Sequence, residues 1–163
     1  MIDEVSLKIL QILQEKARIP NVEVARQVGM APSAVLERIR KLEKKGIIDG
    51  YEVRLNPDRF KRGLVAFLFV WVNQTANGRD AGSALSEIPA VQEVHFVAGE
   101  DCFLVKVRVA DTPELEHLLQ EKILGLETVR TVKTNIVLST QKETSRIPLD
   151  ANRLSEEAPS PRA

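Results

Sequence analysis

A single cysteine, Cys102, stands in a chain of 163 residues. No internal disulfide is available, so a small fold stapled by cystines is excluded, and a lone thiol fits a reducing compartment. Aromatic residues make up only 4% of the chain, which leaves Val, Leu and Ile to build its cores. The two histidines, His95 and His117, have no cysteine or carboxylate cluster at ligand spacing, so no metal site is expected. No Ser–His–Asp order, phosphate-binding loop or dinucleotide fingerprint is found, and no cofactor or catalytic residue is expected. Cys102 reads as a small core residue rather than a nucleophile. No apolar run approaches the roughly 18 residues of a membrane span, and the N-terminus lacks the basic start and apolar core of a signal peptide. These absences point to a cytoplasmic protein without a membrane partner.

Net charge is also missing: 23 Lys and Arg face 23 Asp and Glu. The balance hides an asymmetry. Up to Arg62 there are 13 basic and 9 acidic residues, and from Gly63 onward 10 basic and 14 acidic. A basic front and an acidic rear suggest that only the front meets a polyanion.

The front is organised around residues 21–46. Asn21 is a good helix cap, and Val22, Val24, Ala25 and Val28 give the first helix an apolar face. Gly29 stops it. Pro32 suits the first turn of the next helix, whose buried stripe is Val35, Ile39 and Leu42. Ser33, Glu37, Arg40 and Lys44 project from the opposite face, flanked by Arg38, Lys41 and Lys45. This is a helix-turn-helix with a basic second helix. A preceding helix over 2–16, capped by Asp3, closes a core of Ile9, Leu13, Val24, Val28, Val35, Ile39 and Leu42. After Gly46, Ile47 and Ile48 pack and Asp49-Gly50 is a turn signal. Tyr51, Val53 and Leu55 then alternate as a strand, a small wing that carries Arg54. Residues 56–63 read as a hinge.

The rear changes character. Residues 64–74 are a near-continuous apolar run, hence a buried strand. A helix over 79–87, a strand over 91–97, a turn at 98–101 and a strand over 102–109 follow. Thr112 caps a helix reaching about residue 124, and a last strand covers 129–138. The order β-α-β-β-α-β is the split βαβ of a ferredoxin-like sandwich. The apolar strand with Trp71 exceeds what one small domain needs, which implies a partner chain. The fold class is α+β: a winged helix-turn-helix domain over 1–55 (motif 21–45), a hinge over 56–63, a ferredoxin-like domain over 64–142 and a flexible tail over 143–163.

The pattern Asp3, Ile9-Leu10, Asn21 to Ala25, Val28-Gly29, Pro32-Ser33, Val35, Arg38-Ile39, Leu42-Glu43, Gly46 to Ile48 and Tyr51 resembles the Lrp/AsnC, or feast/famine, transcriptional regulators. The rear half resembles their RAM domain, and the resemblance covers about residues 2–142. It implies a DNA-binding regulator that dimerises through the rear sheet and assembles into tetramers or octamers. It also implies that small effectors, typically amino acids, bind between dimers. Within that frame the DNA-contacting candidates are Ser33, Ala34, Glu37, Arg38, Arg40, Lys41, Lys44 and Arg54, as donors to phosphates and readers of base edges. The effector candidates are Gly99, Glu100, Asp101 and Cys102, with Thr131 and Thr134 facing the same cleft. The chain departs from the family twice. Ala31 replaces the serine that usually precedes the recognition-helix proline, and Cys102 stands where many members have aspartate. Two other readings are an effector-insensitive architectural DNA-wrapping protein and, by likeness of fold alone, a tetrapyrrole decarboxylase.

Overall fold

In a computed structural model, residues 2–73 and 78–149 are described. The expectation for Gln74 and most of the tail expectation lie outside them. The chain divides into two compact units. One takes in the chain up to Val53 and again from Glu143 onward; the other is Arg54–Lys142.

The first unit holds α1 (Glu4–Glu15), α2 (Asn21–Val28) and α3 (Pro32–Lys44). Ile9, Val24, Ala25, Val35 and Ile39 form its buried centre, with Leu13, Val28, Met30 and Ile48 packed against it. Burying such aliphatic side chains is worth about 2 kcal/mol each, the main force closing three short helices. Asp3 caps α1 as expected, accepting from the Ser6 amide at 2.8 Å. Asn21 does not cap α2. Pro20, its φ at −62°, occupies the cap position and offers no side-chain acceptor, so Asn21 becomes the first helical residue. Gly29 ends α2 with φ 70°, a left-handed conformation that glycine adopts without steric cost.

The expected wing strand is not formed within the chain: residues 49–56 carry no ladder. The alternation of Tyr51, Val53 and Leu55 is present, but a strand needs a neighbour for its backbone groups. Val53 and Leu55 are left largely exposed.

The second unit opens with a single tight turn, Pro57–Phe60, capped by Asn56. It then holds β1 (Leu64–Val72), α4 (Gly78–Ser86), β2 (Val91–Val97), β3 (Cys102–Val109), α5 (Thr112–His117) and β4 (Val129–Ile136). All pairings are antiparallel and the strand order is β2-β3-β1-β4, the expected ferredoxin-like arrangement. Ala66, Leu68 and Val70 of β1 pack with Phe103, Val105 and Val107 of β3 under Ala81 and Leu85 of α4 and Leu115 and Leu118 beyond it. The cap of α5 is Asp111 rather than Thr112: its carboxylate accepts from the Glu114 amide at 2.9 Å. Glu114 in turn accepts from the Ala110 amide at 2.7 Å and from Arg62. Past His117 the helix widens over Leu118–Ile123, and the Leu124 amide reaches back five residues to the Leu119 carbonyl at 2.8 Å.

Because side chains alternate across a strand, the opposite face of β1 presents Phe67, Phe69 and Trp71, with Leu104 of β3 beside them, all half-buried. Phe69 and Trp71 stack at 6.2 Å.

Candidate nucleic-acid interface and effector loop

Helix α3 is amphipathic with a sharp division. Val35, Ile39 and Leu42 are buried, which turns Ser33, Glu37, Arg40, Lys41 and Lys44 to solvent. Among the described residues, none of Arg40, Lys41 and Lys44 has an ion-pair partner. The possible Glu37–Lys41 pair is not made either. An unpaired cationic stripe costs nothing in water and is available to a polyanion.

Arg38 does not share that stripe. Its Nη1 donates to Asp3 Oδ2 at 2.6 Å and to Ser6 Oγ at 3.1 Å. One guanidinium therefore ties the recognition helix to the first turn of α1. Hydrogen bonds from the Ser6 side chain and amide, then from Arg38, hold the Asp3 carboxyl down at about 2. Where a phosphate contact was expected, Arg38 is engaged within the chain. Ala34 is half-buried, so it brings a small surface to the helix face rather than a donor. Arg54 is exposed on the irregular stretch.

At the start of α3, Ala31 stands at the cap position. That residue sits in the extended cap conformation, φ −70° and ψ 143°, with no side-chain cap. Ser33 does not substitute for it. At the other end Tyr51 donates to Glu43 at 2.9 Å. Burial, with the Glu43 carboxylate beside it, pushes the phenol up to about 12.

The β2–β3 turn is shaped by two left-handed residues, Gly99 with φ 93° and Asp101 with φ 47°. Glycine pays little for this; aspartate is among the few side chains that tolerate it. The Trp71 indole N–H donates to the Glu100 carbonyl at 3.0 Å and so anchors the turn to β1. That anchor was not foreseen; a lone Trp at the end of an apolar strand was its signal. Glu100 and Asp101 are exposed. Cys102 is fully buried, and its thiol is pushed up by that burial and then by Glu100 and Asp101. It cannot meet a ligand from the surface without the turn opening. Thr131 and Thr134 do not face one cleft. They are three residues apart, so they lie on opposite faces: Thr131 pairs with Trp71 and Thr134 with Leu68. Only Thr131 shares the side of Trp71.

A groove of about 730 Å³ opens elsewhere on this unit, rimmed by Arg62, Arg108 and Glu114; none of the effector candidates lines it. Among the described residues no group of three His, Cys, Asp or Glu is placed to hold a metal.

Residues 65–147 match the Lrp/AsnC ligand binding domain. The chain belongs to the Lrp/AsnC family. Residues 2–49 match the winged helix-turn-helix DNA-binding family, the stretch that contains the cationic stripe. The chain is 35% identical over 148 residues to the leucine-responsive regulatory protein of Klebsiella pneumoniae, covering 90% of each. It is similar in structure to a transcriptional regulator of Neisseria meningitidis in complex with L-methionine, with a TM-score of 0.88, 30% identity, and 92% and 98% of the two chains covered. It is also similar to a feast or famine regulatory protein of M. tuberculosis complexed with L-methionine, with a TM-score of 0.84, 31% identity, and 92% and 100% covered. This Lrp/AsnC protein is thus a DNA-binding transcriptional regulator with a ligand-binding domain, and not an enzyme.

Proposed function

We propose that the protein is a cytoplasmic, sequence-specific regulator that works as a homodimer, assembles further into tetramers or octamers, and responds to an amino acid. The observation that carries the DNA reading is the unpaired stripe of Arg40, Lys41 and Lys44 on α3. Ser33 near the helix start adds a phosphate donor, Glu37 an acceptor for a cytosine amino group, and Arg54 a backbone contact. One such helix reads only a few base pairs. Two held about one helical turn apart, or a multiple of it, give a symmetric reader.

What supports the dimer is the apolar face of Phe67, Phe69, Trp71 and Leu104, with the exposed Val53 and Leu55 nearby in sequence. The effector site rests on the turn of Gly99, Glu100 and Asp101, with Thr131 on the Trp71 side. Two structurally similar regulators hold L-methionine, which makes an α-amino acid the ligand class to test. Glu100 and Asp101 offer carboxylates for its ammonium group. Effector binding would shift assembly and thereby the spacing of readers, by no more than its difference in affinity for the two states.

The test is footprinting on the protein's own upstream region, with and without L-methionine. Protected half-sites in helical phase are expected. Equal affinity for random DNA would overturn sequence specificity and favour an architectural protein. Melting in the presence of each of the twenty amino acids tests the ligand; stabilisation by none of them removes the amino-acid reading.

A further inference from the structure

The chain passes between its units twice, after Val53 and again after Lys142. On the second passage it returns to α1. The Ile147 amide donates to Gln14 Oε1 at 2.9 Å, and the Ile147 carbonyl accepts from Gln14 Nε2 at 3.1 Å. One side-chain amide thus pairs with both polar groups of a single peptide residue, as a neighbouring strand would. This requires Ile147 to be extended, and the sequence presets it. Pro148 disfavours the helical region for the residue before it, and β-branching at Ile147 favours extension.

A second contact lies one residue back. The Arg146 guanidinium reaches the Glu15 carbonyl at 3.4 Å, while the Arg146 amide is held by Thr144 Oγ1 at 3.1 Å. The last turn of α1 contains no basic residue of its own. Its final carbonyls lack intrahelical donors and carry the negative end of the helix dipole. Arg146 brings a cation and a donor to that end from far along the chain. Residues 144–147 thus make contacts that the expectation of a flexible tail did not include.

We propose that residues 143–149 are a docking segment seated on the C-terminal turn of α1, with Gln14 reading its backbone and Arg146 serving the helix end. The seat is a strap. It makes the DNA-reading unit a two-ended attachment to the ligand-binding unit instead of a bead on one linker. Helix α1 is then held at both ends: Arg38 of α3 grips its first turn through Asp3 and Ser6, and the strap grips its last. The end of β4 is joined to the strap by only six residues, 137–142. Two connections instead of one narrow the range that each reader can reach. The DNA consequence rests on the regulator reading above; the seat itself does not.

Two variants of the full chain test it. Gln14→Leu removes the pairing side chain, and Ile147→Pro removes the paired amide without touching α1. In the wild type the Ile147 amide should exchange slowly with solvent, and in Gln14→Leu at least about tenfold faster. Both variants should bind paired half-sites at least about fivefold more weakly, with affinity for one isolated half-site unchanged, as expected when effective concentration alone is lost. An Ile147 amide exchanging at the free-peptide rate in the wild type would overturn the seat. Wild-type affinity for paired half-sites in both variants would overturn the strap's role in spacing. Should Gln14→Leu unfold the first unit, Ile147→Pro decides alone. A wild type that binds no DNA refutes the regulator reading, and the exchange rate still decides the seat.

Discussion

Arg38 Nη1 lies 2.6 Å from Asp3 Oδ2, so the recognition helix is keyed to the first turn of the helix that opens the chain. Both side chains are partly exposed, which limits the pair to about 1 kcal/mol. Arg38→Ala should lower the melting temperature of the first unit by a few degrees, as followed by differential scanning calorimetry. The charge lost is not on the stripe proposed to meet DNA, so the salt dependence of DNA binding should keep its slope. An unchanged melting curve with a shallower slope would return Arg38 to the phosphate contacts.

The Asp3 carboxyl, held down at about 2, links this contact to acid stability. A carboxyl whose folded-state value is depressed stabilises the fold above its ordinary range near 4, and that contribution drains away as pH falls towards 2. Solvent screening at this half-exposed site reduces it to about 0.5 kcal/mol. Asp3→Asn retains a cap oxygen and removes the titration. Its stability should therefore be flatter than the wild type's between pH 4 and 2 in urea melts across that range.

Among the described residues Lys41 and Lys44 carry no partner, so removing either leaves no described group stranded. Lys41→Ala and Lys44→Ala should each weaken DNA binding across sequences and reduce the slope of log affinity against log salt by about 1. Melting temperatures should stay within a degree of wild type. A loss of fold would mean that the side chain packs rather than contacts DNA.

Ala31 already has the backbone of a helix cap without the oxygen. Ala31→Ser should stabilise the first unit by about 1 kcal/mol, read as a higher urea midpoint with unchanged slope. No gain would indicate that the serine hydroxyl is turned away from the Ser33 and Ala34 amides.

Phe69 lies on the half-buried apolar sheet face, stacked on Trp71. Phe69→Asp should shift the proposed homodimer to monomers in sedimentation equilibrium while the ligand-binding unit keeps its circular dichroism. A dimer that survives at wild-type strength would move the interface off this face.

Elements with strong periodicity were readable from the chain alone. The stripe of Val35, Ile39 and Leu42 and the aliphatic run of β1 each match one template, and β3 begins and ends where its alternation does. Local competition defeated the rest. Pro20 displaced Asn21, and Asp111 displaced Thr112, because the residue with the suitable backbone or the stronger acceptor one position away won the cap. The wing's alternation was genuine but lacked a neighbouring strand. The division of α3 was legible in outline: Ser33, Glu37, Arg40, Lys41 and Lys44 do share its solvent side. Arg38 has the same charge and a nearby register, but its partner Asp3 is 35 residues away, and spacing along one helix cannot reveal that. Thr131 and Thr134 were separable from parity alone. The grip of Gln14 on Ile147 spans 133 residues and leaves no local pattern.

That same grip sets an order of events during synthesis. Helices α1 to α3 leave the ribosome first and can close their core at once, since domains fold as they emerge. The far end of α1 must wait for residues 143–149, translated after the entire ligand-binding unit. A nascent chain therefore carries the three-helix core without the Gln14–Ile147 contact until the second unit has been translated. The mature attachment forms only in molecules whose second unit has been completed.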